Sequence, residues 1–283
     1  MLMAEVWKGG PVAAALTEKL MVRCAALKAK GITPTLAVVR VGGNPGDISY
    51  ETAAVKRCGK TGIAISGFPL PDDCERERLL EVIRGINEDK TIHGCLMFRP
   101  LPDREMEEAA RALLDPAKDV DGMTDAALAG VFAGTGEGHP PCTAQACLEM
   151  LDHYGVDLTG KRAVVVGRSL VIGRPVSMLL QSRNATVTMC HTRTRDLPAV
   201  CREAEVLVAA AGRAGLIGAG CAAPGQVVLD VGVNVDENGR MWGDVDFDAV
   251  APIVSAITPV PGGVGAVTTA VLAKHVIEAA ERA

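Results

Sequence analysis

The chain has 283 residues, with 29 basic and 34 acidic side chains and a formal net charge of −5. This acidic balance and the scattered positions of Lys and Arg argue against nucleic acid as the main partner. No apolar stretch has the length of a membrane span, and the N-terminal residues contain no long apolar segment typical of a secretory signal. We therefore expect neither a nucleic-acid partner nor a membrane partner.

The nine cysteines are spread along the chain and form no CxxC pair. Disulfide scaffolds are short and dense in cysteine, whereas free cysteine behaves as a small apolar residue. The cysteine pattern predicts a reducing, cytoplasmic compartment. The five histidines show no spacing typical of a metal site, so no bound metal is expected.

Strand-like and helix-like patterns alternate from one end of the chain to the other. The predicted strands cover residues 35–41, 63–68, 94–98, 163–166, 185–190, 206–209 and 227–231. The predicted helices cover residues 12–30, 75–88, 104–114, 143–153, 175–182 and 265–282. Short apolar strands that alternate with helices indicate βαβ units and a mainly parallel sheet, so the fold class is α/β.

A segment rich in glycine and proline, residues 134–141, divides this pattern into two α/β domains. We predict an N-terminal domain of residues 1–140 completed by the last helix, residues 266–283. Residues 141–265 are predicted to form a Rossmann-like, doubly wound parallel sheet. A cleft between two such domains is the usual place for a ligand.

The turn after the strand at 163–166 has features of a dinucleotide site. Gly167 ends the strand, Arg168 and Ser169 follow, and a helix begins near Gly173. Glycine lets a phosphate approach main-chain N–H groups, and a helix N-terminus favours negative charge. The spacing is not GxGxxG, so a plain βα turn remains an alternative for the glycines alone.

The end of the next strand indicates which dinucleotide binds. NAD enzymes usually place a carboxylate there to hold the ribose 2′-hydroxyl. This chain has Thr192 and Arg193 instead, and a hydroxyl with a guanidinium suits a 2′-phosphate. The sequence therefore favours NADP over NAD.

Two later loops are candidates for the same ligand site. The segment DVGVN includes Val233, and the segment TPVPGGVG includes Pro261, Gly262 and Gly263 just before the last helix. Glycines before a helix N-terminus can expose main-chain amides to a ligand. In DVGVN, Gly232 follows an apolar strand at a point where the main chain could pass close to a ligand. For each of these glycines taken alone, turn geometry is the stronger explanation.

Five strings occur in the order KDVDG, PCT, VVVGRS with IGRP, VGVN and TPVPGGVG. Together they resemble the methylenetetrahydrofolate dehydrogenase/cyclohydrolase family over about residues 33 to 275. The resemblance implies NADP-dependent oxidation of 5,10-methylenetetrahydrofolate to the methenyl form, followed by hydrolysis to 10-formyltetrahydrofolate. It also implies a homodimer that binds tetrahydrofolate derivatives.

The resemblance assigns roles to individual residues. Asp121 is expected to hold the amino-pyrimidine edge of the pterin, because a carboxylate can accept two parallel N–H bonds. Tyr50 is expected to pack beside the folate, and both residues are candidates for catalysis. The loop residues Pro261, Gly262 and Gly263 are expected at the substrate. An ordinary turn or cap is the alternative role for Asp121.

Two positions depart from the family pattern. Ala54 stands where the family has a catalytic lysine four residues after Tyr50, and Phe98 stands where it has the glutamine that pairs with that lysine. Lys56 matches a second family lysine and is the remaining catalytic candidate. On a helix, however, it would be rotated by roughly 120° from Tyr50.

Hydride transfer depends mainly on positioning and on the cofactor, whereas hydrolysis needs an activated water. The departures at 54 and 98 therefore lead us to expect a competent dehydrogenase with a weakened cyclohydrolase, unless Lys56 or Arg99 enters the site. The alternatives are a monofunctional dehydrogenase, a folate- or nucleotide-binding pseudoenzyme, and a dehydrogenase of small acids with the same two-domain plan.

Overall fold

A computed structural model describes residues 3–237 and 239–283. The chain forms two compact units. The three-stranded unit comprises Ala15–Cys142 and Thr269–Ala283, and the six-stranded unit comprises Met1–Ala14 and Thr143–Thr268. No helix in the described ranges combines the length and the apolar character needed to cross a membrane.

The elements are numbered in chain order. The strands are β1 (Glu5–Val6), β2 (Thr35–Val41), β3 (Ala64–Leu70), β4 (Gly94–Met97), β5 (Arg162–Val166), β6 (Thr186–Cys190), β7 (Val206–Ala209), β8 (Val227–Asp230), β9 (Asn234–Val235), β10 (Met241–Trp242) and β11 (Ala256–Ile257). The helices are α1 (Gly9–Ala29), α2 (Pro45–Thr61), α3 (Arg76–Glu88), α4 (Arg104–Leu113), α5 (Asp125–Ala133), α6 (Cys142–His153), α7 (Gly173–Ser182), α8 (Leu197–Arg202), α9 (Phe247–Val250) and α10 (Thr268–Arg282).

The three-stranded unit is built on the parallel sheet β3-β2-β4. Strand β4 is buried along its whole length, as expected for a strand covered on both faces. Helix α3 contributes Leu79, Ile83 and Ile86 to the core, at the three- and four-residue spacing of one helix face. Asn44 caps α2 by accepting the Gly46 N–H, and Pro45 occupies the first helical turn.

The six-stranded unit contains the parallel sheet β1-β11-β8-β7-β5-β6. From the opposite edge and without β1, the order is β6-β5-β7-β8-β11. The second of these strands in the chain, β6, therefore lies outside the first, β5, as in doubly wound sheets. The strand order reverses between β5 and β7, and ligands bind at such a switch point, beyond the carboxyl ends of the strands. The predicted α/β class and the Rossmann-like doubly wound sheet are confirmed.

The first 14 residues belong to the six-stranded unit, whereas the sequence-based boundary assigned them to the N-terminal domain. The physical reason is a strand that is only two residues long: Glu5 pairs with Ala256 and Val6 with Ile257 in parallel register. A strand of this length gives no periodic signal. The short strand β11 and the antiparallel pair β9–β10 were missed for the same reason.

Candidate functional site

The switch point of the six-stranded sheet opens into a pocket of about 420 Å³. Its wall includes Val166 and Gly167 at the end of β5 and Ala210 just after β7. The volume lies within the range typical of small-molecule sites. The position of the pocket agrees with the prediction that the turn after β5 forms part of a ligand site.

The two glycines of this turn are required by close packing. Gly167 has φ of 134°, and a Cβ there would clash with the carbonyl oxygen of Ala210. A Cβ on Gly173 would clash with the main chain of Gly167 and Arg168. The turn therefore folds back tightly between two strands, and α7 begins directly after it.

The polar residues of the turn divide into those that line the pocket and those that do not. Arg168, Ser169 and Thr192 line it, but Arg193 is not among the lining residues. The Ser169 hydroxyl also accepts the Ile172 N–H at 3.1 Å and thereby closes the turn. Arg213, which the sequence analysis missed, supplies a second guanidinium to the wall.

Two buried aspartates hold the loops behind this pocket. Asp244 accepts main-chain N–H bonds from Ala211 at 2.6 Å, Gly212 at 2.8 Å and Arg213 at 2.8 Å. Asp230 accepts N–H bonds from Gly232, Asp244 and Val245. Burial raises the pKa of Asp230 to about 6.

The DVGVN segment is shaped by one of these carboxylates. A Cβ on Gly232 would clash with the Asp244 carboxylate, so internal packing accounts for this glycine, where the sequence analysis invoked close passage of a ligand. Val233, a predicted cofactor contact, is 60% exposed and does not line the described pocket.

The TPVPGGVG loop also lies in the six-stranded unit. Gly262 has φ of 100° and open space around it, and Pro261 is exposed. Gly263 is buried, and a Cβ there would clash with Pro259 and Thr258. Of the three predicted substrate residues in this loop, Pro261 and Gly262 are therefore accessible and Gly263 is structural.

The three-stranded unit brings together a second group of predicted residues. The rings of Tyr50 and Phe98 lie edge to face with their centroids 6.0 Å apart. The charge of Asp121 acts on Tyr50, which places the carboxylate near the phenol. Burial is the main cause that raises the pKa of Tyr50 well above its usual value. Tyr50 is therefore a neutral phenol at physiological pH.

The charged residues of the KDVDG segment have different roles in the structure. The Lys118 ammonium donates to the carbonyls of Ile86, Asn87 and Asp89 at the end of α3. Asp119 is fully buried and accepts N–H bonds from Met123 and Thr124. Asp119, two residues before the predicted residue Asp121, is thus the loop-capping aspartate.

Asp121 is left to interact outside its own loop. Cys142 and Arg99 both act on its carboxylate. Burial raises the pKa of Asp121, while Cys142 and Arg99 oppose the increase. The arrangement is a partly exposed carboxylate beside a tyrosine and a guanidinium.

The departures at positions 54 and 98 are both buried. Ala54 is 0% exposed and Phe98 is 8% exposed. Lys56 is exposed on α2 and is rotated from Tyr50, because the helix turns by about 100° per residue. Its catalytic role stays a prediction. Arg99 is the cation that acts on Asp121.

Three potential metal ligands also lie in this unit. One ligand atom each from His139, His275 and Glu278 fall within 4.8 Å of one another. The charges of Arg23, Lys274 and Arg282 act on Glu278, and they generate a positive field that opposes a divalent cation. No metal is assigned to this cluster, and the prediction that the protein holds no metal stays a prediction.

Comparisons with known proteins match two family models to this chain. Residues 7–121 match the family model "Tetrahydrofolate dehydrogenase/cyclohydrolase, catalytic domain". Residues 141–283 match "Tetrahydrofolate dehydrogenase/cyclohydrolase, NAD(P)-binding domain". The chain belongs to the tetrahydrofolate dehydrogenase/cyclohydrolase family.

Relatives within this family match the chain from end to end. A protein of Carboxydothermus hydrogenoformans named "Bifunctional protein FolD" is 52% identical over 99% of this chain and 98% of its own length. A bifunctional FolD structure from Campylobacter jejuni is 36% identical, with a TM-score of 0.95 over 99% of both chains. A Trypanosoma brucei FolD structure, described as complexed with NADP and an inhibitor, is 33% identical, with a TM-score of 0.93 over 100% of this chain and 99% of its own.

Proposed function

We propose that this chain oxidises 5,10-methylenetetrahydrofolate with NADP and hydrolyses the methenyl product to 10-formyltetrahydrofolate. Both family domains occur in this chain, and a relative that is 52% identical carries the name bifunctional. The classes of small-acid dehydrogenase, monofunctional dehydrogenase and pseudoenzyme are not borne out by these comparisons.

The observation that carries the proposal is the carboxylate of Asp121. The neighbouring Asp119 satisfies the N–H groups of the loop, which leaves Asp121 to face a ligand. An ionised carboxylate accepts the parallel N–H groups of an amino-pyrimidine strongly. Arg99 favours this ionised form, and Tyr50 offers a ring face and a neutral hydroxyl to the substrate.

NADP accepts the hydride in the first step. The pocket residues fit this cosubstrate because Gly167 and Gly173 keep the turn tight at the start of α7, where main-chain N–H groups favour phosphate. Arg168 and Arg213 are the guanidinium groups of the pocket wall, and we assign phosphate recognition to them together with Thr192.

The expected weakening of the hydrolytic step is not borne out, because relatives 52% and 48% identical are both named bifunctional. In this chain Lys56 is exposed on α2. We assign the positive charge of the site to Arg99, which is 18% exposed at its side chain and lies 3.9 Å from Glu107. The Arg99 guanidinium would stabilise the developing hydroxide as water adds to the cationic methenyl carbon and loses a proton to solvent.

We further infer a homodimer in the cytoplasm. The strand pair β9–β10 exposes Val235, Met241 and Trp242, together with the adjacent Val233. Apolar side chains grouped on one projecting element are typical of an interface, and a second copy is the partner expected from the family. The cysteines are all free and buried, which suits a reducing compartment.

The proposal is tested by following NADPH and the methenyl intermediate separately, starting from 5,10-methylenetetrahydrofolate. Formation of NADPH with transient methenyl product and enzyme-dependent 10-formyl product is the expected result. NADPH with methenyl product that decays at the uncatalysed rate would remove the second activity. Absence of NADPH formation with binding of tetrahydrofolate would contradict the proposal entirely.

A further inference from the structure

Two hydrogen bonds fix the peptide group between Val120 and Asp121. The N–H of Asp121 donates to the Asp119 carboxylate at 3.3 Å. The carbonyl of Val120, which belongs to the same peptide plane, lies 2.9 Å from Nδ1 of His275 in α10. Because the peptide group is planar, these two bonds together set its orientation.

The bond to the Val120 carbonyl fixes the chemical form of His275. A carbonyl oxygen can only accept, so Nδ1 of His275 carries the proton and donates. The ring is buried, and burial lowers its pKa well below the usual value. His275 is therefore the neutral Nδ1–H tautomer.

Cys142 connects this histidine bond to the Asp121 side chain. The Cys142 sulfur lies 3.3 Å from the Val120 carbonyl oxygen and 3.7 Å from Nδ1 of His275. The thiol donates its one proton to the Val120 carbonyl, and Cys142 also acts on the Asp121 carboxylate. His275, Val120, Cys142 and Asp121 thus form one continuous polar network inside the three-stranded unit.

Other groups pack against the His275 ring or act on its charge. The His139 ring stacks on it with centroids 4.6 Å apart, and Nδ1 of His139 lies 3.7 Å from Glu278. Lys274 and Arg282 add positive charge that disfavours protonation of either imidazole. His139 is therefore a packing neighbour that provides a matched control.

We propose that His275 is a positioning residue, which orients the Asp121 carboxylate for the folate by holding the Val120–Asp121 peptide group. This inference rests on the proposed function, because it takes Asp121 to be the folate-binding carboxylate. Loss of the bond would let the peptide group rotate and would reduce the fraction of molecules ready to bind. The effect should therefore appear in the KM for the folate and much less in kcat.

The proposal is tested by comparing two variants, His275→Asn and His275→Gln. The Asn amide nitrogen occupies nearly the position of Nδ1 and can still donate to Val120, whereas the Gln amide lies nearer the position of Nε2. We expect His275→Gln to raise the KM for methylenetetrahydrofolate about tenfold, a loss comparable to one hydrogen bond. His275→Asn should retain a KM within about threefold of the original protein, and kcat and the KM for NADP should change little in both variants.

His139→Gln is the control for packing. It removes the stacked ring but not the bond to Val120, so it should lower thermal stability and leave the folate KM unchanged. Equal folate KM values for His275→Asn and His275→Gln, with both variants folded, would overturn the proposal. An unmutated protein that forms no NADPH would instead contradict the proposed function, which keeps the two failures separate.

A measurement on the unmutated protein covers the case in which His275→Gln does not fold. Nitrogen-15 NMR of labelled histidine distinguishes a protonated Nδ1 from a protonated Nε2. The expected result is a protonated Nδ1 for His275 from pH 6 to pH 8, about the range in which a free imidazole titrates. A protonated Nε2 with a bare Nδ1 would overturn the proposal, because no bond to the Val120 carbonyl could then form.

Discussion

Both units contain a pair of aspartates near a ligand site, but the two pairs are used differently. In the six-stranded unit, Asp230 and Asp244 both receive main-chain N–H bonds from the loops that they hold. In the three-stranded unit, Asp119 caps its own loop, whereas Cys142 and Arg99, which lie outside that loop, act on Asp121. An aspartate is a candidate for ligand binding when the N–H groups of its own loop are already satisfied by another group.

The largest effect is expected from Asp121→Asn, compared with Asp119→Asn. Removal of the Asp121 charge should lower kcat/KM for the folate by about 100-fold or more, because a charge-assisted bond pair is lost. The stability of the fold should change little. Asp119→Asn should instead lower the free energy of unfolding. Steady-state kinetics and chemical denaturation of both variants test this contrast, and a reversed pattern would exchange the two roles.

Asp244→Ala should show that the six-stranded pair is structural. Three main-chain N–H groups lose their acceptor, and a buried, unsatisfied donor is costly. We expect a loss of about 3 kcal/mol in the free energy of unfolding. Urea denaturation measures it, with Asp248→Ala in the short helix α9 as the control. A loss below about 1 kcal/mol would mean that solvent replaces the carboxylate.

Arg168→Ala tests the assignment of phosphate recognition to the pocket wall of the six-stranded unit. Loss of a guanidinium that bonds to phosphate should raise the KM for NADP by about tenfold, at a cost of about 1.5 kcal/mol. Arg193→Ala should change this KM by less than about twofold, because Arg193 is exposed and lies outside the pocket wall. The two variants are compared with NADP and NAD. A larger increase in the KM for NADP with Arg193→Ala would support the sequence-based prediction that Arg193 binds the 2′-phosphate.

The smallest expected effect is a pH dependence that comes from Asp230. Its folded-state pKa of about 6 lies above the ordinary value of 3.8, so the folded protein binds this proton more tightly than the unfolded chain does. The resulting stabilisation is complete below about pH 4 and is lost as pH rises through 6. Asp230 alone should make the protein about 1 kcal/mol more stable at pH 5 than at pH 7.

The contribution of Asp230 is separated from that of other groups by comparison with Asp230→Asn. The difference in unfolding free energy between the two proteins is measured by denaturation at pH 5 and at pH 7. If that difference does not change with pH, the carboxyl group titrates in the folded protein as it does in the unfolded chain.

Much of the fold follows from local patterns in the sequence. The run at 163–166 is apolar throughout, and the run at 35–41 is apolar except for Thr35 and Arg40. Such runs are typical of buried parallel strands, and both became interior strands, β5 and β2. The tight turn between Gly167 and Gly173 was also predictable, because glycine and a following helix N-terminus leave a local signal. The two-residue strand β1 leaves no such signal.

The remaining details of the sites depend on contacts between distant residues. His275 and Val120 are separated by 155 positions, and no periodicity links them. The packing role of Gly232 could not be predicted, because the residue that excludes a side chain there, Asp244, lies in a different loop. Arg213 was missed because a lone arginine after a strand is usually a solvated side chain.

The nine buried thiols provide each unit with its own reporter of opening. Burial raises the pKa of Cys58, Cys95, Cys147 and Cys201 to about 12, so almost no reactive thiolate exists in the folded protein at neutral pH. Two of these cysteines belong to each unit. The rate at which an alkylating reagent modifies each one therefore measures how often its surroundings unfold. Mass spectrometry of the modified peptides would give separate opening free energies for the two units, without any engineered label.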